Sequence, residues 1–326
     1  MMNVNFFVED MLFFKYVGCS TAAKTLYKAL LRGQSVDVSY NAMSNTFDVV
    51  HYHTFGPLAL SNEKLNRGCS VLTAHSTPRV NEDNVAFHNV INSLYPKIYR
   101  SFDHIITISE SCQQEIEEMV PGVPTTLIPN GVDREMFAYD GQKAREFRET
   151  YGIGEEKRIV LTVAQQTPRK GIYDVMELSS RFPDILWVWV GGFPYGMGSK
   201  DYFKIQQMKK KCGENMIFTG FVPDIVSAYS AADIFFMPSH AETFGLVNLE
   251  ALSCGLPVVA RDIPEFREIF GENMGYFGNI DEAAGQIADE RALHALAAKA
   301  RAFTEQFDIR RIADQHIALY SELVES

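Results

Sequence analysis

The chain has 326 residues, of which 46% are hydrophobic and 22% charged, and its formal net charge is −11. This length suits two domains of roughly 150 residues each, and the composition is that of a globular protein with a large core. The acidic balance argues against a nucleic-acid-binding protein, which needs Lys and Arg to neutralise phosphates, and gives no support to attachment to an anionic membrane by charge alone.

The sequence shows neither a targeting signal nor a metal-ligand pattern. Five scattered cysteines without a C-x-x-C pair indicate free thiols in a reducing compartment, and neither a disulfide framework nor a zinc site. The short apolar run at the N-terminus is followed at once by Glu9 and Asp10, unlike a signal peptide. Because no apolar stretch approaches the roughly 20 residues of a membrane span, we expect a cytoplasmic protein.

Short apolar runs alternate with helical patterns along the chain. In the first half the predicted strands are 4–8, 48–53, 70–75, 104–109 and 125–130, and helices are predicted between them, for example at 20–31 and 110–119. In the second half the predicted strands are 158–164, 186–192, 216–222, 233–239 and 256–260. Strands that are apolar throughout and alternate with helices indicate parallel sheets covered on both faces.

A polar segment, residues 138–157, separates the two series of strands. We therefore predict an α/β protein with two Rossmann-like, doubly wound parallel-sheet domains that face each other across a cleft, residues 1–140 and 141–307. Beyond about residue 281 the pattern is helical only, and the last helix, at about 308–326, can return to the first domain.

In doubly wound sheets, ligands bind beyond the carboxyl ends of the strands. This rule selects a short set of positions: His53, His75, the loop after Ala164, the loop after Gly192, and the loop that holds His240 and Glu242.

Two carboxylates stand eight positions apart in the segment 242-ETFGLVNLEALSCGLPVVA-260. Glu250 lies in a helix that is apolar almost all round, so it needs either a buried structural partner or the hydroxyl groups of a ligand. Glu242 follows a strand, where it can be a simple helix cap or a ligand contact. The helix N-terminus just after it, with the backbone amides of Phe244, Gly245 and Leu246, suits an anionic phosphate.

The loop in 161-LTVAQQTPRKG-171 holds two adjacent cations, Arg169 and Lys170, directly beyond a strand. They can clamp a diphosphate, or they can be an ordinary solvated pair. Neither G-x-G-x-x-G nor G-x-x-x-x-G-K-[ST] occurs, which removes the usual support for a dinucleotide or P-loop site.

Three further features have both a structural and a functional interpretation. His75 closes a strand in 73-TAHSTP-78 and is either a core histidine or part of the cleft. The loop 11–20, with Phe14 and Gly18, is either core or an apolar surface that faces an acceptor. The segment 93–102 interleaves Lys97 and Arg100 with aromatics, which is typical of a solvated amphipathic face or of a membrane interface.

Together these residues resemble the retaining glycosyltransferases of family 4, which have the GT-B fold. The family's hallmark is two glutamates separated by seven residues in the context E-G-F-G-L-x-x-x-E-A-x-A-x-G-x-P-V, and 242–260 matches it closely. The segments 129-PNGVD-133 and 217-IFTGFVPD-224 and the R-K-G loop also fit. The resemblance is strong from about residue 102 to 268 and weaker before it.

The resemblance implies a role for each matched position. Glu250 would accept hydrogen bonds from the donor's ribose hydroxyls, Glu242 would contact the donor sugar, and Lys170 would neutralise the diphosphate. His75 would lie near the donor sugar. The reaction would transfer a sugar from a nucleotide-diphosphate donor to a hydroxyl with retention, giving an α-linkage, and would need neither a metal nor a cofactor.

This chain departs from the family pattern at three places. Gln165 stands where the family often has an arginine, so either Arg169 supplies the missing charge or the phosphates are held more weakly. Thr243 replaces the glycine after the first glutamate. The later G-G-x-x-E element is replaced by 261-RDIPE-265, which leaves only Glu265 in register.

Within the family, the sequence resembles bacterial glycolipid transferases that add glucose or galactose to diacylglycerol or its monoglycoside. This implies UDP-glucose or UDP-galactose as donor, a lipid or carbohydrate acceptor, and peripheral attachment at the inner face of the membrane. The alternatives are a soluble or polysaccharide acceptor with a GDP-mannose or UDP-sugar donor, a sugar-nucleotide epimerase, and a non-catalytic nucleotide-sugar-binding subunit.

Overall fold

The structure, a computed structural model, describes residues 1–9, 18–44, 46–81 and 88–325. The chain forms two compact units. Unit 1 comprises Met1–Asp133 and Gln306–Ser326, and unit 2 comprises Arg134–Glu305.

Unit 1 is built on a six-stranded parallel sheet in the order β2-β1-β3-β4-β5-β6. Its strands are β1 (Asn3–Phe7), β2 (Asp37–Tyr40), β3 (Val49–Tyr52), β4 (Cys69–Thr73), β5 (His104–Thr107) and β6 (Thr125–Leu127). The helices between them are α1 (Gly18–Gly33), α2 (Pro57–Leu65), α3 (Pro78–Asn81), α4 (His88–Tyr99) and α5 (Glu110–Met119). Every residue of β3 is buried, as expected for a central strand covered on both faces.

Unit 2 repeats this architecture with the strand order β12-β11-β10-β7-β8-β9, again all parallel. Its strands are β7 (Ile159–Val163), β8 (Leu186–Val190), β9 (Met216–Gly220), β10 (Ile234–Met237), β11 (Val258–Arg261) and β12 (Gly275–Phe277). Its helices are α6 (Gly141–Thr150), α7 (Ile172–Arg181), α8 (Tyr202–Lys209), α9 (Ile225–Ala231), α10 (Leu246–Ser253), α11 (Pro264–Phe270), α12 (Ile280–Ala288) and α13 (Glu290–Phe303). Trp187 and Trp189 of β8 are fully buried in its core.

The last helix, α14 (Ile309–Glu325), belongs to unit 1. Its apolar side chains recur at helical spacing and enter the same core as Leu26 and Leu30 of α1. The buried residues of α14 in this core are Ile309, Ile312, Ala313, Leu319 and Tyr320.

The chain first passes from unit 1 to unit 2 between Asp133 and Arg134, several residues earlier than the predicted boundary at 140/141. Residues 134–140 belong to unit 2 because side chains of unit 2 form hydrogen bonds with the backbone of this segment. Arg301 of α13 donates to the carbonyl oxygens of Arg134 (2.9 Å) and Phe137 (3.0 Å), and the hydroxyl of Ser253 donates to the latter at 2.7 Å.

Two strands of the structure, β2 and β12, are absent from the prediction. Both lie at sheet edges and are only four and three residues long. An edge strand is covered less than a central one, so its sequence carries a weaker apolar run. The aromatics of 93–102 are core residues, since Tyr95 and Tyr99 are buried whereas Lys97 and Arg100 are exposed.

Of the helices that the structure describes, none combines the length and the apolar composition that a membrane span requires.

Candidate active site

The loop after β7 brings two cations to the carboxyl end of the sheet of unit 2. A single 3-10 turn, Pro168–Lys170, leads to Gly171, which has a left-handed backbone (φ 72°) and begins α7. A side chain at Gly171 would clash with the carbonyl oxygen of Pro238, so glycine allows this turn to lie against the segment after β10. The backbone amide of His240 donates to the carbonyl oxygen of Arg169 at 2.8 Å.

Lys170, Arg169 and Glu242 form one charged cluster. The Nζ atom of Lys170 is ion-paired with Oε1 of Glu242, and Nη1 of Arg169 lies 3.8 Å from the same oxygen. Arg169 also donates to the carbonyl oxygen of Ala241 (2.6 Å), and the hydroxyl of Ser239 donates to Glu242 (2.8 Å). The three charged side chains are only 12–18% exposed, so water screens them weakly.

The cluster carries one net positive charge at neutral pH. Burial lowers the pKa of Lys170 to about 8, although the attraction of Glu242 opposes this shift. Burial alone would raise the pKa of Glu242, but Lys170 and Arg169 outweigh it and hold that pKa below its ordinary value. Two cations against one carboxylate leave a surplus charge that suits an anionic ligand.

The N-terminus of α10 lies three residues beyond Glu242. Its cap residue, Gly245, has φ 84° and provides no side-chain hydrogen bond, and a Cβ there would lie 2.6 Å from the ring of Phe266. Neither polar atom of the Asn248 side chain, which is fully buried, has a hydrogen-bond partner among the described residues. An uncapped helix N-terminus attracts anions through its amides and its dipole.

Glu250, in the middle of α10, has a buried structural partner, one of the two alternatives that the sequence left open, but the sequence analysis did not identify that partner as Tyr229. It is 8% exposed, and its Oε2 atom accepts a hydrogen bond from the hydroxyl of Tyr229 in α9 at 2.7 Å. Burial raises the pKa of Glu250 to about 7, and the Tyr229 bond opposes that rise. Within the part of the chain that the structure describes, no hydrogen bond reaches Oε1, which stays available to a ligand.

A signal for Tyr229 exists in the sequence. It stands in a helix of otherwise small residues, 227-SAYSA-231, all of which are buried in the structure. A buried phenol normally needs a hydrogen-bond acceptor, and the unexplained acid Glu250 was available to provide it.

His75 lies in unit 1, two residues beyond β4, in a cluster of histidines. Its Nε2 atom is 3.0 Å from Nδ1 of His53, and the ring of His53 packs against that of His51 with centroids 4.1 Å apart. His51 in turn lies 2.6 Å from the hydroxyls of both Thr73 and Tyr320. Burial lowers the pKa of His75 to about 3, so the imidazole is neutral.

A cavity of about 20 Å³ adjoins this cluster. His53, Thr73, Asn130 and His316 contribute its polar wall, and Nε2 of His53 has no partner among the described residues. The volume and the polar lining suit one water molecule.

Three predicted positions lie outside these clusters. Gln165 makes no side-chain hydrogen bond within the described structure, and only its carbonyl oxygen is used, by the amide of Thr167 (2.9 Å). Gly18 begins α1. Phe14 lies outside the described residues.

Two doubly wound sheets, with a cationic cluster and an uncapped helix at the carboxyl end of the second, fit a glycosyltransferase of the GT-B class. Residues 143–309 match the family described as glycosyl transferases group 1, and residues 26–136 match glycosyltransferase family 4. The chain therefore belongs to the group 1 glycosyltransferases and is a hexosyltransferase.

Curated relatives agree with this assignment, and solved structures share the fold. The chain is 32% identical over 244 residues to the processive diacylglycerol alpha-glucosyltransferase of Acholeplasma laidlawii, covering 72% of this chain and 71% of the relative. It is 26% identical over 292 residues to the alpha-galactosylglucosyldiacylglycerol synthase of Streptococcus pneumoniae, covering 84% and 77%. Among structures, HepE of Anabaena with UDP and glucose aligns with a TM-score of 0.80 at 21% identity, over 99% and 100% of the two chains. Sucrose-phosphate synthase of Thermosynechococcus elongatus aligns with 0.81 at 18% identity, over 99% of each chain.

Proposed function

We propose that this protein transfers a hexose from UDP-glucose or UDP-galactose to a hydroxyl of a diacylglycerol-type glycolipid, with retention and an α-linkage. The Arg169–Lys170–Glu242 cluster beside the N-terminus of α10 is the observation that carries the proposal. The names of the two diacylglycerol relatives support the acceptor class and the α-linkage. The chain's membership of a glycosyltransferase family favours a transferase over the epimerase and the non-catalytic subunit.

The donor's charged and polar groups match the groups of unit 2 one by one. Lys170 and Arg169 take the diphosphate, with Lys170 as a point charge and Arg169 through its planar fork. The amides that open α10 add a further electropositive contact. Glu250 accepts the ribose hydroxyls at Oε1, since Oε2 is held by Tyr229. Arg169 provides the charge that Gln165 lacks, because its guanidinium lies in the same cluster as Lys170, 3.8 Å from Glu242.

Donor binding would rearrange the Lys170–Glu242 ion pair. In the unliganded protein each charge satisfies the other, so neither is buried alone. A bound diphosphate offers Lys170 a doubly charged partner, and the sugar hydroxyls then donate to the released carboxylate of Glu242. The pair thus keeps the site stable when it is empty and provides both halves of the recognition when it is filled.

The chemical step that the family resemblance implies fits this placement. The acceptor oxygen forms a bond to C1 of the sugar on the face that the diphosphate leaves, while the bond from C1 to the phosphate oxygen breaks. The acceptor's proton passes to the departing phosphate oxygen, so no protein base is required. Lys170 and Arg169 stabilise the charge that develops on the leaving group, which is the principal protein contribution and requires no metal.

His75 is assigned to the donor sugar on the family resemblance. Its ring is neutral, so it can exchange a hydrogen bond with a sugar hydroxyl without adding charge, and the contact with His53 restricts its orientation. Gly18 and Phe14 remain predictions for the acceptor side.

A donor panel with matched variants tests the proposal. UDP-glucose, UDP-galactose, UDP-N-acetylglucosamine and GDP-mannose are offered first in a thermal-shift assay and then with diacylglycerol or its monoglycoside in mixed micelles. Lys170→Gln is expected to lower kcat by roughly 10²- to 10³-fold, as loss of one leaving-group contact does elsewhere. Lys157→Gln, which removes an exposed lysine of the same unit, is the control and should leave kcat unchanged.

The outcomes separate donor from acceptor. Full activity of Lys170→Gln would refute the phosphate assignment. A thermal shift without transfer to any lipid, combined with transfer to a soluble sugar, would refute the glycolipid acceptor alone.

A further inference from the structure

Unit 2 exposes a surface on and before α8 that is both apolar and basic, here named the α8 surface. Phe203 and Met197 are each 72% exposed, and Tyr195 is 55% exposed. The exposed polar members of the surface are Lys200, Asp201, Lys204, Gln207, Lys210 and Lys211. Large apolar side chains that are exposed close together are typical of a surface that a partner covers.

The charge of this segment is opposite to that of the protein. Residues 195–211 contain five lysines and one acid, Asp201, so the segment carries +4. Because the whole chain carries −11, the remaining residues carry −15. A local excess of lysines on an acidic protein indicates an anionic partner.

The helical geometry of α8 sets these residues on one face. Ile205 is the buried residue of α8 and fixes its inner side. The outer side, at helical spacing from Ile205, holds Phe203, Lys204 and Gln207 and, two residues beyond the end of the helix, Lys211, all of them exposed. One aromatic and two lysine side chains therefore share an exposed face of the described chain.

Side-chain contacts within unit 2 join the segment of the α8 surface to α7 and to the loop that holds the two cations. The hydroxyl of Tyr173, at the start of α7, donates to Asp201 at 2.6 Å, and the ammonium of Lys204 lies 4.4 Å from the centre of the Tyr173 ring. Lys209 donates to Oε1 of Gln166 at 3.0 Å. The loop that begins after β7 thus connects the α8 surface to Arg169 and Lys170 within unit 2.

We propose that the α8 surface docks on an anionic lipid bilayer. Charge complementarity selects the occupant: lysines attract anionic headgroups, while Phe203 and Met197 enter the boundary between headgroups and acyl chains. The apolar members distinguish this surface from a purely electrostatic site such as one for nucleic acid. The biological role of this docking rests on the proposed function: if the acceptor is a glycolipid, docking here holds the donor site at the membrane that contains it.

Vesicle co-sedimentation of the full chain tests the docking without donor or acceptor, so its result does not depend on whether the proposed reaction is right. Phosphatidylcholine vesicles with and without phosphatidylglycerol are compared. Binding is expected only with the anionic lipid. Lys204→Gln/Lys211→Gln is expected to weaken it by roughly 20- to 30-fold, since each lysine contributes about fivefold, and Phe203→Ser to weaken it by about tenfold.

The control removes the same charge from the helical face of unit 1 with Lys97→Gln/Arg100→Gln. This control variant should bind anionic vesicles as the parent does, and all variants should keep the parent's urea-unfolding midpoint in tryptophan fluorescence, which shows that unit 2 is folded. No binding of the parent to anionic vesicles overturns the proposal. Loss of binding only in the unit 1 variant, or unchanged binding in both α8 variants, overturns it as well and moves the docking surface elsewhere.

Discussion

Replacing Glu250 by glutamine is expected to stabilise unit 2 at alkaline pH and to weaken donor binding. Burial raises the pKa of Glu250 from 4.5 to about 7 in the folded protein. Because the folded pKa is above the unfolded one, the native state holds the proton more tightly. The stability linked to this proton is fully present below about pH 4.5 and is lost as the pH rises through about 7.

The magnitude follows from the size of this pKa difference. A change of about 2.5 units corresponds to roughly 3 kcal/mol of unfolding free energy, and relaxation of the site reduces this, so about 1–3 kcal/mol is expected. Glutamine removes the charge but keeps an oxygen that can accept the bond from Tyr229. The variant should therefore resemble the parent near pH 4.5 and exceed its stability at about pH 8.5.

Tryptophan fluorescence during urea unfolding measures this change in unit 2 alone. The chain has two tryptophans, Trp187 and Trp189, and both lie in β8. Glu155→Gln, at an exposed position of unit 2, is the matched control and should show no such pH-dependent gain. The thermal shift with UDP-glucose should fall in Glu250→Gln and persist in the control.

Two results would refute this reasoning. The first is an equal stability difference between variant and parent at acidic and alkaline pH, which would mean that Glu250 is not a buried acid with a raised pKa. The second is a full donor shift in Glu250→Gln, which would mean that the carboxylate does not bind the donor and is only structural.

Two further predictions concern buried polar groups. Tyr229→Phe removes the hydrogen bond to the Glu250 carboxylate, worth about 1.5–3 kcal/mol, and should raise the pKa of Glu250 by roughly 1–2 units. The donor KM should therefore rise about tenfold at neutral pH and recover towards about pH 9, with kcat little changed. A KM increase that is the same at every pH contradicts this role. Burial lowers the pKa of His316 to about 4 from 6.5, so stability is fully present above pH 6.5 and is lost as the pH falls towards 4. The protection factors of the amides in β3 and β4, which correct for the intrinsic pH dependence of exchange, should therefore fall on acidification, and fall less in His316→Asn than in the exposed control His294→Asn; an equal fall in the two variants argues against this histidine.

Much of the site could be predicted because its signals are local. The alternation of apolar strands with helices predicts two parallel sheets, and the GT-B fold of the structural neighbours confirms that class. The strand-end rule selects the loops of Arg169, Lys170 and Glu242, and these side chains do meet in unit 2. Each of these inferences needs only a few consecutive residues.

The partner of Glu250 could not be read in the same way. Tyr229 is 21 residues away in a different helix, and the helical wheel of α10 contains no trace of it. The short edge strands β2 and β12 were missed for a related reason, since pairing with a neighbouring strand, and not their own composition, makes them strands.

Local signals in the sequence were enough to establish the class of the fold, the family and the residue types at the candidate donor site, because periodicity and short motifs act over a few residues. Only the tertiary structure decided which charges neutralise each other. Lys170 and Glu242 are 72 positions apart, and their ion pair exists because parallel strands β7 and β10 are neighbours in the sheet. The α8 surface also depends on tertiary packing. The sequence shows lysines and aromatics between 195 and 211, but burial of Ile205 against the core of unit 2 decides which side chains of α8 face outward. Hydrogen bonds and ion pairs depend on distance in space, which the chain acquires only when it folds.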